Sequence, residues 1–329
     1  MDKYIEDRLQ KLQNPDKKVR CAVINALGRV KTNKQKVIAP LINILADSDE
    51  DVYLATFYSL VKLGEVVVEP VIEEALKNEN PLIRYRAIFV FDKLRDKRAI
   101  APLINLLNED EDSDVRAAAA GVLAGMPEDS QIGEALITAL KDKDSAVRYN
   151  TAISLGILHL SKAVPLLIKL LKDQNEEVRG HSAFAIGQCG GSEVVEPLLP
   201  LLEDESASVR MWATSALAHK DDPGVIDPLL KRLEDEDQRV REAAIGSLSS
   251  YQGIEGINRA IKPLISLLAD SSSNVRYMAA EILGYIGDKE VLSVLEGIQA
   301  TDLEIAYLGH PVSKAATEAI NNIKERYYD

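Results

Sequence analysis

The sequence predicts an all-α solenoid of about ten stacked helical hairpins, one domain running through residues 1–329. Two markers predict it. An apolar residue followed by arginine recurs at Val19-Arg20, Ile83-Arg84, Val115-Arg116, Val147-Arg148, Val178-Arg179, Val209-Arg210, Val240-Arg241 and Val275-Arg276. Val52-Tyr53 fills the gap between the first two, and Val312-Ser313 is a degenerate tenth copy. Out of phase with these, proline recurs at Pro40, Pro70, Pro102, Pro165, Pro197, Pro228 and Pro263, with Glu134 where the missing one would fall. Successive copies of the first marker lie 31 to 37 residues apart. A fixed period of this size is the signature of a repeat architecture. The repeats run approximately 1–32, 33–63, 64–95, 96–126, 127–159, 160–190, 191–220, 221–252, 253–286 and 287–329.

Each repeat reads as two helices. Helix A carries Pro-Leu-x-x-Leu-Leu, as in Pro102 to Leu107, and its proline either kinks the helix or marks its first turn. Helix A of the first repeat is expected within Met1–Gln13, with Ile5, Leu9 and Leu12 inward. Helix B starts at a capping residue three before the marker: Asp16, Asp49, Asn80, Asp112, Asp144, Asn175, Ser206, Asp237 and Ser272. With the marker's apolar residue at position zero, +4 is small or β-branched (Val23, Thr56, Ala87, Ala119, Thr151, Ser182, Ala213, Ala244, Ala279). Position +8 is large and apolar (Leu27, Leu60, Phe91, Leu123, Leu155, Ile186, Leu217, Leu248, Leu283). Zero, +4, +7 and +8 share one helical face. One hairpin cannot bury that face alone, so stability comes from interfaces between neighbours. The period slips at Tyr251–Asn258 and Thr301–His310, which are expected to be longer loops. The last helix, Val312 to about Tyr328, ends in polar residues suited to a cap.

Composition excludes several classes. The net charge is −13, with 52 Asp and Glu against 39 Lys and Arg, which argues against a nucleic-acid partner. Two cysteines, Cys21 and Cys189, make neither a disulfide framework nor a metal cluster, and a reducing compartment is expected. No apolar run reaches the ~18 residues needed to span a bilayer. The N-terminus is charged from Asp2 onward, so no membrane association and a cytoplasmic location are expected.

The pattern Asp-x-x-Val-Arg-x-x-Ala-x-x-Ala-Leu-Gly followed by Ala-x-x-Pro-Leu-x-x-Leu-Leu resembles the HEAT repeat, most closely the phycobilisome-lyase-type HEAT-like subclass. Val19 to Gly28 and Asp144 to Gly156 are close matches. The resemblance covers essentially the whole chain. It implies a right-handed α-solenoid whose B helices line the concave face. It says little about function, since one repeat serves many partners. Deoxyhypusine hydroxylase, similar in fold, holds iron with His-Glu pairs on its B helices; no His-Glu dipeptide occurs here. HEAT-like alkylpurine glycosylases use a strongly basic face, which this acidic chain lacks. No metal site, cofactor or catalytic residue is expected.

Two features remain as candidates. The recurring arginine is expected to bridge structurally to a capping Asp or Asn, or to a backbone carbonyl, of an adjacent repeat. Helix B positions +2, +3 and +6 point away from the buried face, toward the concavity that the resemblance implies. They hold seven of the sixteen aromatic residues, where an even spread would place roughly one: Tyr58, Tyr85, Phe89, Tyr149, Phe184, Trp212 and Tyr277. His181 and Met211 stand beside them, with Leu54 and Met278. An aromatic track in an acidic protein suits a partner-binding groove. The expected function is a non-enzymatic scaffold gripping a protein or peptide with basic residues. The alternative is a tetrapyrrole-handling protein similar to phycobilin lyase subunits, with His181 and Arg86 meeting a bilin.

Overall fold

The computed structural model describes residues 2–220, 222–306 and 309–328. They fall into two compact units, Met1–Leu158 and His159–Asp329. In the first unit the A helices are α1 (Asp2–Gln10), α3 (Gln35–Ile44), α5 (Val68–Pro70, continued by a π turn through Ala75), α7 (Ile100–Glu109) and α9 (Ser130–Ala139). Its B helices are α2 (Lys17–Leu27), α4 (Glu50–Leu63), α6 (Pro81–Leu94), α8 (Ser113–Leu123) and α10 (Ser145–Ile157). In the second unit the A helices are α11 (Val164–Leu170), α13 (Val195–Leu198), α15 (Ile226–Arg232), α17 (Ile261–Leu267) and α19 (Leu292–Thr301). Its B helices are α12 (Glu176–Cys189), α14 (Ala207–Ala216), α16 (Gln238–Ser249), α18 (Ser273–Ile286) and α20 (Val312–Tyr328). The described residues thus form the ten expected hairpins, all helical.

Every expected capping residue is the N-cap of its B helix, in extended backbone. All but Ser206 accept a backbone N–H on the side chain, which satisfies one of the orphan donors of the first turn. The prolines of α11, α15 and α17 fall in the first helical turn after a 3-10 turn, where no N–H is needed. Pro40 lies inside α3. In the first repeat Ile5 and Leu12 are buried and Leu9 is half-buried.

The core lies where the period puts it. All nine +8 residues and eight of the nine +4 residues are fully enclosed; only Val23, in the terminal repeat, retains slight exposure. Successive B helices touch closely through small residues. A Cβ on Gly28 would stand 2.6 Å from Ser59 Cβ, and one on Gly187 or Gly284 would stand 2.8 Å from the Cα of Ala216 or Ala319. Hydroxyls sew the same seams: Ser59 Oγ donates to the Ile24 carbonyl, Ser154 Oγ to Ala120 and Ser247 Oγ to Thr214, at 2.8–3.1 Å.

The recurring arginine bridges adjacent repeats. Its carboxylate partner is in six cases the aspartate two residues before the next cap: Asp47 for Arg20, Asp110 for Arg84, Asp142 for Arg116, Asp204 for Arg179, Asp235 for Arg210 and Asp270 for Arg241; Arg276 pairs with Asp302, in the irregular segment before the last helix. The expectation of a capping residue as partner is corrected here. The cap's side chain is already turned onto its own helix, which leaves the aspartate before it to face the guanidinium. The same arginine also donates to two carbonyls of its own loop, as Arg84 does to Asn78 and Glu79.

Both slipped segments are tied down. Tyr251 is buried, donates to the Leu217 carbonyl at 2.5 Å and accepts from the Lys220 amide. In the other, Ile305 bridges Pro311, while residues 307 and 308 lie outside the described residues.

Candidate functional site

The aromatic slots divide into distinct environments. In the first unit, α6, α8 and α10 lie side by side. The middle helix carries only small residues in its three slots: Ala117, Ala118 and Gly121. Its neighbours carry rings. A pocket of about 420 Å³ opens above α8, with Ala117, Ala118 and Gly121 as floor and Tyr85, Phe89 and Tyr149 as walls. Tyr85 meets Phe89 edge to face, with centroids 5.2 Å apart. Asp92, Asp114 and Asn150 also line it. Asn150 donates to the Ala146 carbonyl, and Asp92 is paired with Lys93 of its own helix at 2.8 Å. Asp114 is exposed and has no cationic partner among the described residues.

In the second unit, His181, Phe184 and Trp212 form a half-buried cluster between α12 and α14. The indole centroid lies 5.2 Å from that of Phe184 and 5.6 Å from that of His181. The indole also rests on Gly180, where an added Cβ would come within 2.9 Å of its Cδ1. Trp212 therefore fills the seam between two helices while keeping one part open. Met211 beside it is half-buried. Burial holds the His181 imidazole below its ordinary pKa, although Glu177 at 3.4 Å pulls the other way.

Two expectations are corrected. Tyr277 was expected on the open face, but it is buried at 9% exposure. The terminal helix α20 packs along α18 and covers it. Burial, then Glu281 and Glu318, push its phenol up. Arg86 was expected to be free for a ligand's carboxylates. Its guanidinium instead donates to the carbonyls of Leu45 and Asp47 at 2.7 and 2.9 Å, and lies 4.2 Å over the Tyr53 ring. Tyr58 stands apart, 61% exposed, with its ring edge-on to Phe57.

The pocket's floor, with Asp92, Asp114 and Asn150, escaped the sequence reading, which counted rings and not the gaps between them. The signal was present. Only two repeats have glycine at +6, Gly121 and Gly246, and both line pockets. The second, of about 460 Å³, is also lined by Met278, Glu281 and Tyr285.

Burial pushes the thiols of Cys21 and Cys189 up, so neither is primed as a thiolate nucleophile. Among the described residues no three His, Cys, Asp or Glu side chains converge as a metal site, and no helix is long and apolar enough to cross a membrane.

The structure resembles that of YibA from Escherichia coli, with a TM-score of 0.62 at 24% identity, over 84% of this chain and 97% of that one. An engineered protein matches with a TM-score of 0.50 at 20% identity, over 98% and 99%. Both likenesses show the fold alone. The complex of CpcE and CpcF of phycocyanin lyase from Nostoc sp. PCC7120 matches with a TM-score of 0.46 at 21% identity, over 78% of this chain and 94% of that one. No curated protein matches the sequence. The family model for HEAT repeats matches residues 5–87, 68–134, 101–185, 164–249 and 250–306. This chain, with its stacked hairpins and its arginine–aspartate rungs, belongs to the HEAT repeat family.

Proposed function

We propose that this protein is a non-enzymatic interaction scaffold. Its B-helix face, concave as the family resemblance implies, holds a protein or peptide partner that carries basic residues. One observation carries the reading: the pocket over α8 is walled by three half-buried rings and edged by two carboxylates. Rings fixed by their own helices offer contact area at low entropic cost, and aromatic residues dominate interface energetics. Carboxylates on a chain of net charge −13 favour a cationic partner and speed its approach. The cluster of His181, Phe184 and Trp212 supplies a second aromatic surface of the same kind.

The test is fluorescence anisotropy with a panel of labelled peptides, basic, neutral and acidic, against wild type and the double variant Tyr85→Ala/Tyr149→Ala. Basic peptides are expected to bind, and the double variant to lose at least about tenfold in affinity, as truncated interface rings do. Equal binding of acidic and basic peptides, or an unaffected double variant, would overturn the reading.

A further inference from the structure

The glycines of the B helices divide by what surrounds them. Gly28, Gly187 and Gly284 are required by packing, because a Cβ there would collide with the next helix. Gly121 is not. A Cβ on it would meet only Asn150 Oδ1, at 3.9 Å, and its backbone is ordinary right-handed helix. Glycine within a helix is less favourable than alanine by roughly 0.5–1 kcal/mol. Neither stacking nor backbone conformation accounts for this glycine. What it does is leave space between Tyr85, Phe89 and Tyr149.

We infer that this space is a socket for one cationic side chain, arginine or lysine, of a bound peptide. This rests on the scaffold reading and assigns the residue that the pocket selects. The charge fits: Asp92 and Asp114 line the pocket, and Asp114 has no cationic partner among the described residues. The walls fit as well. A cation within about 6 Å of a tyrosine or phenylalanine centroid is attracted by the ring's quadrupole. The protein already makes this contact one helix away, where the Arg86 guanidinium lies 4.2 Å over Tyr53. The size fits, since about 420 Å³ is at the small end of the ~300–1,000 Å³ typical of ligand pockets. Gly246 repeats the device in the second unit. Its Cβ would meet only Met278 Cε at 3.9 Å, and Glu281 and Tyr285 line its pocket.

The experiment is an NMR titration of the intact protein with N-acetyl-arginine amide and with its neutral isostere, N-acetyl-citrulline amide. Arginine amide is expected to shift the backbone resonances of Ala117, Ala118, Gly121 and Asn150, with citrulline at least about tenfold weaker. Asp114→Asn is expected to narrow that difference. Gly121→Met fills the socket with a good helix former, so it should abolish these shifts while leaving the melting temperature equal or higher. Equal shifts from the two amides, or shifts confined to other helices, would overturn the socket. If Gly121→Met binds basic peptides as tightly as wild type, while Tyr85→Ala/Tyr149→Ala does not, the socket is wrong and the scaffold reading stands.

Discussion

Arg84 grips both carboxylate oxygens of Asp110, 26 residues further on, each at 2.7 Å. The side chains are only 9% and 3% exposed. The pair joins one repeat's helix-B turn to the next, and the same rung recurs at Arg116–Asp142, Arg179–Asp204, Arg210–Asp235 and Arg241–Asp270. Where repeat two lacks the arginine and carries Tyr53, repeat three lacks the aspartate and carries Asn78. Arg86 closes that seam by lying on Tyr53. Loss of one partner strands a poorly solvated charge. Arg84→Ala and Asp110→Ala are each expected to cost about 3–5 kcal/mol. The double variant should cost less than their sum. Urea denaturation measures all three.

Glycine substitutions should split in sign. Gly187→Ala places a methyl 2.8 Å from Ala216 and should cost about 1–3 kcal/mol by overpacking. Gly121→Ala enters open space and should stabilise by about 0.5–1 kcal/mol. Thermal melts of the two variants beside wild type check the contrast.

The rungs also set the acid limit. Burial pushes the Asp235 carboxyl up, but hydrogen bonds from Arg210 and from the Asp237 amide outweigh it and hold the pKa below the carboxylate norm. A carboxyl depressed in the folded state contributes stability above its unfolded pKa of about 3.9, and this is lost as pH falls through the folded value. Asp142, Asp204, Asp270 and Asp302 are depressed likewise. The melting temperature should therefore hold at mildly acidic pH and fall steeply below about pH 4. Asp235→Asn should be weaker at neutral pH but lose less on acidification.

His181 titrates the other way. Burial lowers its pKa from the ordinary 6.5, so the unfolded chain takes up the proton first, and stability declines as pH falls from 6.5 toward the folded value. Trp212 is the only tryptophan and lies 5.6 Å from the imidazole, centroid to centroid. Its fluorescence should be quenched on acidification with a midpoint below 6.5. His181→Gln should remove the transition.

The caps, the +4 and +8 core and the hairpin count were legible in the sequence because each depends on residues within one turn or one period. Tyr277 was misjudged because its exposure depends on α20, whose register follows the irregular segment after Thr301. Asp110 and the other rung aspartates were visible as residues but not as partners. Their role follows from which side chain the cap leaves free, and that needs the neighbouring helix in place. The pocket was missed because it is made by absent side chains at Ala117, Ala118 and Gly121. Leu123→Ala should cost about 2–5 kcal/mol as a fully enclosed core residue. Tyr149→Ala, on a pocket wall, should stay within about 1 kcal/mol. Chemical denaturation of the pair separates core from wall.

A crystal structure of the protein with a hexa-arginine peptide tests the scaffold and its socket most directly. One guanidinium is expected between Tyr85 and Tyr149 above Gly121, with its charge facing Asp92 or Asp114. A peptide lying on the A helices, with that pocket holding only solvent, would contradict the account.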